Sequence, residues 1–161
     1  MNRLIEEIDV LIVNLSLELE RAVIEHRLQE DEKLYVIEQN FFPFWVQILK
    51  TPCFVGFTTY LMFRKNTTLL QRLELANQFN QDTYMSSAHV VENMLRIEHV
   101  LTYKNGILSE TFIRGCRQYS GGISLFISEY DPDYKVLKRL TESATQTDET
   151  MNNEADKPEV E

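Results

Sequence analysis

The sequence predicts an α+β protein, an antiparallel sheet with helices laid on it, in the order α-β-β-β-α-β-β-α. Three observations carry this. Residues 3–29 repeat apolar side chains at a helical period. Two runs rich in aromatic and branched residues, 42–49 and 54–63, flank a four-residue loop, Lys50-Thr51-Pro52-Cys53. A second pair of runs, 83–91 and 94–103, is parted only by Glu92-Asn93. The 161 residues suit one domain with a real core, placed at 1–140, followed by a tail at 141–161.

The first helix is expected to be long. Leu4, Ile8, Leu11, Leu15, Leu19, Ala22 and Val23 form its stripe, widened by Ile5 and Ile12. Glu6, Asp9, Glu18, Arg21 and Glu25 lie opposite, and no Gly or Pro interrupts the pattern. EDEK at 30–33 is a charged turn, and Leu34–Glu38 is a short strand.

The first hairpin can be tested by its register. A four-residue loop pairs Leu49 with Phe54. Phe44, Val46 and Ile48 then share a face with Val55, Phe57 and Thr59, and that face is the core. Trp45, Gln47 and Leu49 share the other with Phe54, Gly56 and Thr58, where Gly56 leaves room for Trp45 to lie diagonally. A slip of one residue would bury Gln47.

The second helix spans about 67–80, capped by Thr67 or Thr68, with the stripe Leu69, Leu70, Leu73, Ala76 and Phe79. Asn80 is suited to end it, and Asn77 to bond locally or reach a neighbouring strand. In the second hairpin Tyr84, Ser86, Ala88 and Val90 join Leu95, Ile97, His99, Leu101 and Tyr103 on the apolar face. Met85, Ser87, His89, Arg96 and Glu98 take the wet one. Lys104-Asn105-Gly106 is a turn in which Gly106 supplies φ > 0.

The third helix starts near Ser109 as cap and buries Phe112, Cys116, Tyr119, Ile123, Phe126, Ile127 and Tyr130. Gly121-Gly122 in its interior costs about 1 kcal/mol per glycine against alanine. That implies a kink or a point of close packing. Asp131-Pro132-Asp133 ends the helix, Tyr134–Leu140 adds another turn, and the polar chain from Thr141 onward is disordered.

Charge narrows the partners. The net charge is −9, of which 141–161, with seven acids against one base, contributes −6 and the rest −3. So acidic a chain does not suit nucleic acid or an anionic membrane. The N-terminal MNRLIEEIDV places acids where a signal peptide needs an apolar run. Cys53–Phe63, the most apolar stretch, falls short of the ~20 residues that span a bilayer. A cytoplasmic location follows as the expectation.

No catalytic, cofactor or metal motif is present: HExxH, GxSxG, a Walker loop and GxGxxG are all missing. Cys53 and Cys116 lack metal spacing and are expected to be reduced thiols. His99, on the apolar face, is expected to have its nitrogens satisfied by backbone, Tyr84 or Ser86, with a ligand or pH-sensitive role as the alternative. His89 is a surface residue.

One feature rises above this background. Trp45, Leu49, Phe54 and Tyr60, with Met62 beyond, form an apolar ribbon on the side away from the core. Either the first helix or the C-terminal segment covers it, or it is a partner or dimer surface.

The segment 69–124 resembles the YbjN family, labelled bacterial sensory transduction regulators. LELANQFNQ carries the helix that ends in an asparagine box. NMLRIEHVLTYKNGILSETFIRGC carries the hairpin strand, turn and final helix. The strands FWVQILK and CFVGFTTYLMF match as well, so the resemblance covers roughly residues 30–130; the first helix and the tail lie outside it. It implies a fold like that of type III secretion chaperones, a curved antiparallel sheet with helices, often dimeric. No catalytic residues carry over.

The expected function is therefore non-enzymatic: a regulator that binds a protein partner through the apolar sheet and first helix, as a homodimer. The alternative is a secretion chaperone that holds an effector segment. A small-molecule enzyme, with a pocket lined by His99, Tyr84 and Tyr103, is the third class.

Overall fold

The alternation along the two long hairpins builds a 6-stranded antiparallel sheet. The coordinates are a computed structural model that describes residues 3–30, 32–38, 41–83 and 85–140. Tyr84 and the acidic tail at 141–161 lie outside the described residues. The strands are β1 (Leu4–Ile5), β2 (His26–Leu28), β3 (Leu34–Val36), β4 (Phe44–Leu49), β5 (Phe54–Met62), β6 (Ser86–Val91), β7 (Met94–Thr102) and β8 (Ile107–Leu108). The helices are α1 (Ile12–Arg21), α2 (Leu69–Asp82) and α3 (Ser109–Tyr130). The large sheet runs β2-β3-β4-β5-β7-β6, and β1 pairs separately with β8.

Both hairpin registers hold. Leu49 pairs with Phe54, Val46 with Phe57, and Val91 with Met94. The inner face is sealed: Phe44, Val46, Val55, Phe57, Leu95 and Ile97 are fully buried. α3 lies across it. Phe112 and Tyr119 stack on Phe57 at 6.3 and 5.6 Å, Phe44 meets Tyr119 edge-on at 5.3 Å, and the Tyr119 hydroxyl donates to the Ile97 carbonyl at 2.8 Å. Each such ring contributes about 1.5–3 kcal/mol by burial.

The first helix is shorter than the periodicity predicts. Instead of 3–29 it covers Ile12–Arg21, preceded by β1 and a 3-10 turn at Glu7–Asp9. It ends because Val23 adopts φ 57°, so that Val23 N–H donates to Glu20 and Ile24 N–H to Leu19 at 3.0 and 2.9 Å. That is the paired carbonyl closure of a Schellman stop, here without glycine, and Leu19 and Ile24 are both buried beside it. Glu18, expected in water, is buried instead. Arg3, Arg21 and the Ser109 hydroxyl all donate to its carboxylate.

α2 is also rotated from expectation. Leu75, Ala76 and Phe79 are buried, whereas Leu69, Leu70 and Leu73 are exposed. Arg72, one turn before Ala76, takes the inward position, with its guanidinium 5.1 Å over the Phe63 ring. Thr68 caps the helix in a reciprocal box with Gln71.

The end of the fold departs in two ways. α3 passes through Gly121-Gly122 unbroken, and a Cβ at either position would meet nothing within 4 Å, so they mark neither a kink nor close packing. The close approach is at Gly115, where a Cβ would lie 2.6 Å from Leu101 Cδ1. Residues 134–140 do not add the expected turn. The buried Asp131 carboxylate accepts the N–H groups of Lys135, Val136 and Leu137, and the segment runs back along the sheet, Leu137 bridging Phe63.

Candidate functional surface on the outer face of the sheet

Strand alternation turns Trp45, Leu49, Phe54, Tyr60 and Met62 away from the core, to the face opposite α3. Leu49 and Tyr60 are 37% and 46% exposed; Trp45, Phe54 and Met62 are half-buried. The pairing of β5 with β7 extends the ribbon. Val100 stands opposite Gly56 and is exposed, and Met94 stands opposite Met62. These two additions are not visible in either hairpin alone, because they depend on how the hairpins align with each other.

Trp45 does not lie over Gly56. It packs instead on Tyr35, its partner across β3, at 4.5 Å between ring centroids. Burial raises the pKa of the Tyr35 hydroxyl above its ordinary value, against the lowering effect of Arg27. The space above Gly56 is bordered by Gln47 and Leu49, whose atoms lie 3.6 and 3.7 Å from the position of a Cβ. There the face sinks into a groove of about 400 Å³ that runs from Gln47, Leu49, Gly56 and Val100 to the start of β6, where Met85, Ser86 and His99 also line it. Gln47, Gly56 and Thr58 therefore divide the ribbon. Leu49, Phe54 and Val100 lie toward one end, and Tyr60, Met62 and Met94 toward the other.

Apart from Met94 and Val100, the second hairpin's outer face is polar. Arg96 meets Glu98 at 3.2 Å, and His89 bonds Ser87 at 3.1 Å. At its outer edge, Asn80 of α2 does what was expected of Asn77. Its Nδ2 donates to the Ala88 carbonyl at 3.0 Å, and its Oδ1 accepts the Ala88 N–H at 2.7 Å. Asn77 is exposed, and the helix runs on to Asp82.

The residues considered for chemistry are scattered. His99 is buried, stacked 5.5 Å from Phe57, and its Nδ1 donates to the Met85 carbonyl at 2.6 Å. Burial lowers its pKa from the ordinary value, and the Met85 bond acts in the opposite sense. Tyr103 does not join it. It is buried near Cys53 and Glu7, and burial, then those two groups, raise the pKa of its hydroxyl. Both cysteines are free thiols; Cys116 is buried and its pKa is raised by burial, while Cys53 is half-buried. Among the described residues no three His, Cys, Asp or Glu side chains are grouped to hold a metal ion. None of the described helices is long and apolar enough to cross a membrane.

Comparison with known proteins adds two findings. The family model described as "YbjN: Putative bacterial sensory transduction regulator" matches residues 13–131. The fold is similar to the crystal structure of "YbjN, a putative transcription regulator from E. coli", with a TM-score of 0.66 at 16% identity, covering 79% of this chain and 94% of that one. No curated protein matches the sequence.

Proposed function

The chain belongs to the YbjN family, and from that premise we propose that it is a non-enzymatic regulatory protein of the cytoplasm. It binds another polypeptide across the outer face of its sheet, and a second copy of itself is the first occupant. The supporting observation is the one-sided packing. α3 covers the inner face, while Trp45, Leu49, Phe54, Tyr60 and Met62 stand on the other, exposed or half-buried. An apolar surface of this kind on a folded protein marks an interface more often than it serves the monomer. The exposed leucines of α2 lie outside this ribbon, and α1 contributes less than expected, since its length is reduced to Ile12–Arg21.

Trp45→Asp tests the reading. It places a charge in the ribbon without touching the inner face. The expected result by multi-angle light scattering is a folded monomer where the wild type is a dimer. A variant that stays dimeric would remove this face from the interface. A segment of another protein that co-purifies with the wild type and is lost in Trp45→Asp would support the chaperone mode instead.

A further inference from the structure

A second hollow, of about 330 Å³, lies between the C-terminal part of α2, the middle of α3 and β7. Its walls are the deeply buried Phe79, Tyr119 and Ile123, with Thr83, His99, Gln118 and Gly122, and its mouth is at Met85 and Ser86. That volume falls within the range of small-molecule sites, and so does the mixture of apolar walls with a few polar groups. No carboxylate, ammonium or guanidinium side chain lines it among the described residues, so a charged ligand would find no counter-charge.

Two details set this hollow apart from a packing defect. First, His99 has one nitrogen committed. Nδ1 donates to the Met85 carbonyl, which fixes the neutral tautomer and leaves Nε2 as an acceptor. Burial favours that neutral ring. Second, Gly122 has no packing reason to be glycine. A Cβ there would meet nothing within 4 Å, and glycine inside a helix costs about 1 kcal/mol against alanine. Gly122, unlike Gly121, lines the hollow and leaves that part of its wall without a side chain.

The geometry points to a binding site for a small neutral aromatic molecule that carries one hydrogen-bond donor. Its ring would lie against Phe79, Tyr119 and Ile123 in the space left by Gly122, and its donor would meet His99 Nε2. The hollow opens on the α3 side of the sheet and adjoins the outer-face groove at Met85, Ser86 and His99; none of the five ribbon residues Trp45, Leu49, Phe54, Tyr60 and Met62 lines it.

Fluorine NMR of the full chain with 4-fluorophenol and 4-fluorotoluene tests it, since the two probes are of similar size and exchange a hydroxyl for a methyl. Saturable binding is expected for both, about tenfold tighter for the phenol, as one hydrogen bond would give. Gly122→Leu should weaken both at least tenfold while the melting temperature holds or rises. His99→Phe should keep the toluene and abolish the preference for the phenol; if it does not fold, Gly122→Leu decides. Failure of either probe to saturate, equal affinities, or undiminished binding by folded Gly122→Leu would overturn the site.

Discussion

The two hairpins share one core but present opposite outer faces. β4 and β5 turn Trp45, Leu49, Phe54 and Tyr60 outward; β6 and β7, apart from Met94 and Val100 beside β5, turn out Ser87, His89, Arg96 and Glu98. Their inner faces are alike, with Val46, Phe57, Leu95 and Ile97 all fully buried. Stability therefore asks the same of both hairpins and explains both inner faces. The polar part of the second outer face needs nothing more, because half-exposed pairs such as Arg96–Glu98 contribute little, on the order of 1 kcal/mol. Solvation does not explain the first outer face. Comparing the two isolates the residues whose identity the fold alone does not require.

The largest test of that contrast lies within one strand. Phe57→Ala, on the inner face, should reduce unfolding free energy by about 3–5 kcal/mol in urea titrations. Tyr60→Ala, on the outer face of the same strand, should cost under ~1 kcal/mol when both are measured in the Trp45→Asp background, where no second copy covers that face. Comparable losses would mean that the outer ribbon is core after all, and the contrast would fail.

A smaller effect sharpens the picture of the second hairpin. Asn80→Ala removes both hydrogen bonds to Ala88. About 1–2 kcal/mol should be lost, and the Ala88 amide should exchange with deuterium much faster while the amides shared by β5 and β7 keep their protection. Unchanged exchange at Ala88 would show that the strand edge is held by other means.

The smallest effect concerns pH. His99 has a lowered pKa in the folded chain, so folding favours its neutral form. Its contribution is fully present above the ordinary value of 6.5. It is lost as pH falls below that value and through the folded one. The melting temperature should decline across that interval, and His99→Phe should flatten the decline. His89→Ala, on the wet face, should leave the slope as it is. An unaltered slope in His99→Phe would place the titration elsewhere.

How much of this was legible depends on the physics at each point. The hairpin registers were, because a short loop and a period of two leave one solution that buries Phe57 and keeps Gln47 out of the core. The end of α1 was not. Its stop rests on Val23 in a left-handed conformation, which β-branched residues rarely adopt, so no glycine announced it. α2 kept its ends within two residues but turned its stripe, because Arg72 packed on Phe63 where a leucine was expected. Of the candidate surface, the five ribbon residues followed from alternation, whereas Met94 and Val100 waited on the pairing between hairpins. The hollow beside His99 was hidden because its walls come from α2, α3 and β7 together, and Gly122 reads in sequence only as a weak helix former.

The Asn80 amide behaves as a strand one residue long. It offers Ala88 a carbonyl and an N–H in the places where a seventh strand would. An open strand edge is a template on which copies can add without limit, and here its middle is already occupied. The opposite edge, β2, is only 3 residues long. Growth by sheet extension is therefore blocked at one end and poorly supported at the other. For the dimer proposed above, that leaves a face of the sheet as the contact, and a contact that uses the same patch on both copies closes into a pair.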